Sequence, residues 1–205
     1  MPKDTFLRLS KDKQEKIKKG ALKTFNRLNY EVVTVKDIVD DCEIPRGSFY
    51  QYFHDKFDVF KYLVTETQEE KVKYMQKPIE KIGEVSFLEL YQELVQAGLN
   101  FAKDYPHIYK LGYQLYFSLD KDVKQFYEEM SVYSIAFIEN LIIKDQEAGN
   151  TRTDIDAKVV ATILHQLNTS DVVRMFFNQT PDEEIMAYTR HVLDILRYGI
   201  IRRES

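Results

Sequence analysis

The chain has 205 residues, of which 44% are apolar and 30% charged, and it carries a net charge of −4. That composition excludes a disordered chain and allows one large or two small globular domains. The single cysteine, Cys42, excludes an internal disulfide, and no apolar run approaches the ~18 residues of a membrane span, so a cytoplasmic protein without membrane contact is expected.

Ser10 reads as the N-cap of a first helix. Ile17, Ala21, Leu22, Phe25 and Leu28 fall on one stripe of it, and Asn29 and Tyr30 end it. Residues 1–29 hold nine basic and three acidic residues, whereas 30–60 hold three and seven and 61–205 hold 17 and 23. The basic excess therefore sits on the first helix, above an acidic body. Thr34 opens a second helix, and Asp37 three residues on completes a short capping box. Val35, Ile38 and Val39 face inward. A third helix begins near Pro45 and ends around Tyr52. Asp55 is the expected N-cap of a fourth, which stops near Pro78.

The remainder is also helical by pattern. Ser86 caps a helix whose apolar face includes Phe87, Leu90, Tyr91, Leu94 and Leu99, and Pro106 starts another. A long helix from about Asp122 to Gln146 is ended by the Ala148-Gly149-Asn150 turn. One helix over roughly 155–177 and a last one from Pro181 to about Arg203 complete the chain. No segment reads as a strand. The expected fold is all-α with about nine helices: a three-helix head over 1–55 and a helical body over 56–205.

Residues 34–56, TVKDIVDDCEIPRGSFYQYFHDK, describe two short helices joined by a tight turn. The second carries Arg46, Ser48, Tyr50, Gln51 and Tyr52 on its polar side and leaves Phe49 and Phe53 for a core. A helix-turn-helix reader of the DNA major groove is built this way. Gly47 lets backbone approach a phosphate. Ser48, Tyr50 and Tyr52 offer hydroxyls to phosphate oxygens, Thr34 adds a contact at a helix N-terminus, and Lys56 is a candidate phosphate partner. Arg46 and Gln51 are the candidates for base edges, guanine and adenine respectively.

This order of features resembles the TetR (tetracycline-repressor) family of bacterial transcription regulators. The match rests on Phe25, Asn29, Tyr30, Thr34, Ile38, Ile44, Gly47, Ser48, Tyr50, Tyr52, Phe53 and Lys56. The resemblance implies an all-helical homodimer with an N-terminal DNA-binding head and a C-terminal ligand-binding and dimerisation domain. Its partners would be a palindromic double-stranded operator and a small effector, with no cofactor and no metal. There are departures. Glu43 stands where the family has a turn glycine, so a left-handed residue is expected there. Pro45 replaces a Ser or Thr cap, Asn29 replaces a frequent Gly, and Phe57 replaces an acidic residue.

The body combines many aromatics with dispersed polar groups, which suits a lipophilic or aromatic ligand. Candidate pocket residues are Tyr109, Tyr113 and Phe117 on one helix, Tyr133 and Phe137 on the next, and His165 and Asn168 on the one after. The alternative is that these aromatics are plain core. Ile163, Val192, Ile195, Leu196 and Gly199 form the candidate dimer seam on the last two helices. An induced repressor would couple ligand to DNA through the fourth helix by Phe57, Phe60 and Leu63. An enzyme is the first rival reading, but no HExxH, phosphate loop, nucleophile elbow or zinc-ligand spacing occurs. A helical interaction protein that has lost DNA binding is the second.

Overall fold

The computed structural model describes residues 1–198, which fold as helices joined by short turns, without a sheet. The helices are α1 (Asp4–Leu7), α2 (Lys11–Arg27), α3 (Val35–Cys42), α4 (Arg46–Tyr52), α5 (Lys56–Ile79), α6 (Phe87–Asp104), α7 (Pro106–Phe117) and α8 (Lys121–Glu147). They are followed by α9 (Ala157–Leu167), α10 (Val173–Phe177) and α11 (Asp182–Tyr198). The all-α architecture is as expected. Among the described residues no helix is long and apolar enough to cross a membrane. Two compact units are present: Met1–Val72 with Asp104–Glu129, and Lys73–Lys103 with the described residues from Met130 onward.

In the first unit, α2 to α4 form a three-helix head. Local signals set its elements. Thr34 and Asp37 make the full capping box at the start of α3, with the Thr34 hydroxyl accepting from the Asp37 N–H at 3.2 Å and the Asp37 carboxylate accepting from the Thr34 N–H at 3.0 Å. Glu43 ends α3 in the left-handed region at φ 52° and ψ 47°. Among the described residues only Glu43 and Gln179 combine a side chain with positive φ, so Asn29 does not use the left-handed region. The core joins Phe25, Tyr30 and Phe60, whose ring centroids lie 5.0–6.2 Å apart, to Ile17, Ile38 and Phe49. Cys42 is fully buried, and burial pushes its thiol up to about 12. It is a small core residue whose Sγ lies 3.3 Å from the Ile17 carbonyl.

The short helix α1 has no counterpart in the sequence reading. Its Phe6 is fully buried against Phe53 and Tyr62, at 5.0 and 5.2 Å. Helix α7 also belongs to this unit and lies against α2.

The second unit packs α6 and the C-terminal part of α8 with α9 and α11. Leu99, Ile142, Ala161, Leu164, Ile185 and Leu193 lie at the centre of its core. The expected single helix over 155–177 is interrupted. Asn168–Val172 forms a π-turn, closed by the Val173 N–H on the Asn168 carbonyl. The Thr169 hydroxyl competes there for the carbonyls of His165, at 2.9 Å, and Gln166, at 3.2 Å. A polar run in mid-helix thus finds local acceptors and breaks the regular ladder.

Gly20 fixes how closely α2 crosses α3. A Cβ there would lie 2.6 Å from the Asp41 carbonyl oxygen and from the Cys42 Cα, both backbone atoms that cannot turn aside. Gly20→Ala gains ~1 kcal/mol of helix propensity and loses roughly 1–3 kcal/mol to overpacking. A net loss of stability is expected, read as a lower denaturant midpoint for the full chain; an unchanged or raised midpoint would show that the helices can separate without cost.

Candidate nucleic-acid interface

Helix α4 divides its residues by face. Phe49 and Phe53 are buried, as expected, while Arg46, Gly47, Tyr50 and Gln51 are exposed on the opposite side at i, i+1, i+4 and i+5. Tyr50 is 44% exposed, and the Arg46 guanidinium lies 6.0 Å from its ring centroid. Beyond Gly47 the space is open, so nothing in the protein obstructs an approaching phosphate. Ser48 is half-buried beside this face.

Three of the phosphate candidates are held differently. Tyr52 is only 6% exposed: its ring meets Phe6 edge-on at 6.1 Å and Lys13 lies 5.9 Å from its centroid. Its ring is a core element. Lys56 donates to the carbonyls of Tyr30 at 2.7 Å and Val33 at 3.0 Å, with Glu31 at 3.4 Å, and lies 4.5 Å from the Tyr30 ring centroid. Its three protons tie down the turn between α2 and α3. Thr34 remains exposed, but its hydroxyl and N–H both face the Asp37 carboxylate, which already occupies the α3 N-terminus. The exposed face of α4 is therefore narrower than the sequence motif, with Arg46, Gly47, Tyr50 and Gln51 at its centre.

A second group of bonds ties α7 to the head. Gln114, 5% exposed, accepts from the Tyr30 N–H at 2.8 Å and donates to the Phe25 carbonyl at 2.6 Å. Lys110 donates to the Asn26 carbonyl at 2.6 Å, and the Asn26 amide to the His107 carbonyl at 3.1 Å. Beyond the end of α7, the Ser118 hydroxyl donates to Glu31 at 2.7 Å. None of Gln114, Lys110 and Ser118 belongs to a motif in the sequence. A glutamine among apolar α7 residues was the available signal, but it does not name its partners.

The candidate ligand residues fall in both units. In the first, Tyr109 and Tyr113 are half-buried and Phe117 is exposed, stacked obliquely on Tyr113 at 4.6 Å. Burial raises the pKa of Tyr109 and Tyr116. On α5, the half-buried Lys71 lies on the same face as the buried Phe60, Val64 and Thr67. Burial lowers its pKa, and among the described residues it has no counter-ion. In the second unit Tyr133 is 78% exposed and Phe137 is exposed beside it, so neither lines an enclosed space in the chain as described. His165 is buried. Asn168 borders a cavity of about 10 Å³ together with Tyr91, Leu164, Tyr188 and Val192, which is room for about one water molecule. An open groove of about 550 Å³ on the head is walled by Lys16, Lys19, Lys23, Asp12, Asp41 and Glu43. Four of these six charges form two ion pairs, at 2.6 Å for Lys16–Glu43 and 3.0 Å for Lys23–Asp41, and such a charged lining does not suit a lipophilic ligand.

On the proposed dimer seam, Ile163 and Ile195 are exposed, the latter at 52%, with Val159 and Tyr198 exposed nearby in sequence. Val192 and Leu196 are half-buried against the core. Gly199 lies outside the described residues. No group of His, Cys, Asp and Glu suited to a metal ion occurs among the described residues.

Residues 17–63 match the family described as bacterial regulatory proteins, tetR family. No curated protein matches the chain. Solved structures share its fold along nearly its whole length. A TetR family transcriptional regulator from Chloroflexus aurantiacus J-10-FL is 23% identical, with 99% of this chain and 100% of that one covered and a TM-score of 0.63. The transcriptional regulator FadR from Bacillus subtilis, solved with stearoyl-CoA, is 17% identical over 91% and 99%, with a TM-score of 0.70. FadR from Thermus thermophilus, a repressor solved with lauroyl-CoA, is 18% identical over 93% and 96%, with a TM-score of 0.66.

Asp41 joins α3 to α2 by accepting from Thr24 at 2.9 Å and Arg27 at 3.0 Å. Burial works against its ionisation, but the bonds from Arg27, Lys23 and Thr24 outweigh it and hold the carboxyl down to about 2. A folded pKa below the unfolded value of about 3.9 contributes stability that is fully present above about pH 4 and is lost as pH falls through about 2. Asp41→Asn is expected to be less stable than the parent at neutral pH and to lose less between those limits, in denaturant titrations across pH. Parallel curves for the two proteins would show that Asp41 does not link the helices.

Proposed function

We propose that this chain, a tetR-family bacterial regulatory protein by its head, is a repressor that binds a palindromic operator as a homodimer and is released by a lipophilic acidic effector. The observation that carries the reading is the face of α4: Arg46, Gly47, Tyr50 and Gln51 exposed together on a helix whose other side is core. Residues 1–55 bind DNA in this reading, and 56–205 bind the effector and the second copy. Arg46 and Gln51 read base edges. Tyr50, Ser48 and the backbone at Gly47 hold phosphates.

Seven residues of recognition helix are too few for useful specificity, so two copies must engage half-sites about 34–36 Å apart. The exposed apolar residues of α9 and α11, Val159, Ile163 and Ile195, support pairing through those helices. The protein works in the cytoplasm, where its operator is.

The class of effector is suggested by two neighbours of the same fold, solved with stearoyl-CoA and lauroyl-CoA. A long-chain acyl thioester combines an apolar tail with an anionic head. Lys71 supports this choice, because a half-buried amine gains from an incoming anion. The bonds from α7 to Phe25, Asn26, Tyr30 and Glu31 supply a route by which a displaced α7 moves the head. This route runs beside the α5 route through Phe57, Phe60 and Leu63. The effector must favour the DNA-incompetent arrangement by its differential affinity.

Selection of bound DNA from a random pool, at two salt concentrations, tests the reading. A palindrome is expected. Arg46→Ala should relax preference at one position of each half-site, at a cost of about 1–3 kcal/mol there. Tyr50→Ala should weaken all sequences evenly. A pool that stays random at both salts, with and without cell extract, would favour the interaction protein instead.

Lauroyl- and stearoyl-CoA are expected to release the selected DNA in a binding titration, and Lys71→Met to need more of either. Tighter DNA binding with ligand would reverse the sign of regulation, and no change with either would remove acyl thioesters as the effector class.

A further inference from the structure

Helix α4 has seven residues, so its last four carbonyls, those of Phe49, Tyr50, Gln51 and Tyr52, have no partner inside the helix. All four are nonetheless satisfied. The Phe53 N–H donates to Phe49 at 2.8 Å. The other three are met by the N-terminal segment: the Lys3 ammonium donates to Tyr50 at 2.8 Å, the Thr5 hydroxyl to Gln51, and the Lys3 N–H to Tyr52 at 2.8 Å. The segment is held in place by Phe6, which is fully buried among Tyr52, Phe53 and Tyr62 at 5.0–6.1 Å. The Lys3 charge also lies at the negative end of the α4 dipole.

The other end of α4 is weakly held. Its N-cap is Pro45, which offers no side-chain cap, and the turn before it is carried by Glu43 in a left-handed conformation that costs a non-glycine residue about 1–2 kcal/mol. Two turns of helix do not persist alone. The direction in which α4 presents Arg46 and Gln51 therefore depends on the bonds at its C-terminal end. Gln51 is itself one of the clamped residues, through its carbonyl.

We propose that Lys3, Thr5 and Phe6 are positioning residues for DNA recognition: the N-terminal segment clamps the end of the recognition helix and sets how Arg46 and Gln51 meet the major groove. This rests on the reading of α4 as a DNA reader. It adds to that reading a set of specificity-determining residues that face no base.

The test uses the full chain with Lys3→Met and Thr5→Val combined, which keeps side-chain bulk and removes two donors, beside Phe6→Ala and the conservative Lys3→Arg. Affinity is measured for the operator selected by the parent protein and for a scrambled duplex, and amide exchange is followed in α4 without DNA. The double variant is expected to lose about tenfold or more of the operator-to-scrambled ratio. Its scrambled-duplex affinity should stay near the parent's, and amides at the end of α4 should exchange faster. Lys3→Arg should retain the ratio. A double variant with parental ratio and parental exchange overturns the proposal, and so does an equal loss on both duplexes, which would make Lys3 a plain phosphate contact. A parent that selects no DNA overturns the underlying reading and this proposal with it. Phe6→Ala, if folded, is expected to follow the double variant; if it fails to fold, the double variant decides.

Discussion

Helices α2 and α3 meet backbone to backbone at Gly20, and the rest of the head is arranged around that approach. A Cβ on Gly20 would lie 2.6 Å from backbone atoms of Asp41 and Cys42, so no side chain fits between the helices. The closeness lets the Cys42 thiol reach the Ile17 carbonyl and lets Asp41 reach Thr24, Arg27 and Lys23 on α2. It also fixes where the left-handed Glu43 turn leaves α3, and hence where α4 starts. The exposed face of α4 is in this sense a consequence of a missing methyl group two helices earlier.

The turn between α2 and α3 is the other organising point. It contains no regular structure; the Val32 and Val33 N–H groups turn back on the Asn29 carbonyl, and other backbone groups take partners from elsewhere. Lys56 from α5 takes the carbonyls of Tyr30 and Val33, while Gln114 from α7 takes the Tyr30 N–H and the Phe25 carbonyl. Elements distant in sequence thus share one small polar knot beneath the aromatic cluster of Phe25, Tyr30 and Phe60. A buried amide with both ends used tolerates little movement, because losing either bond leaves a buried group unsatisfied. That property makes α7 a stiff connection to the head, whereas apolar contacts such as Phe57 on Phe126 allow sliding.

Much of the head was legible in the sequence. The Thr34–Asp37 capping box, the left-handed residue at Glu43 and the inward Phe49 and Phe53 follow from residues within four positions of one another. Each depends on backbone geometry or helical period, which a short window contains. The same logic placed Ser86 and Asp55 at helix starts, where their side chains accept from backbone N–H groups. It failed at 168–172, where a polar run allowed either a continuous helix or a π-turn and only Thr169's choice of carbonyl settled which.

What the sequence by itself determined was the all-α class, the boundaries of α3 and α4 and the outward placing of Arg46, Tyr50 and Gln51. What only tertiary structure decided was the use of individual polar groups. Lys56 looked like a phosphate partner and Tyr52 a phosphate hydroxyl, yet one closes a turn 26 residues away and the other packs edge-on against Phe6. Gln114 and Lys3 belong to no motif, yet they satisfy backbone groups 89 and 47 residues distant. A flexible polar side chain reaches several ångströms in any direction, so its partner is set by whichever unsatisfied group the folded chain brings within reach. That choice has no periodicity and leaves no mark in a local window of residues.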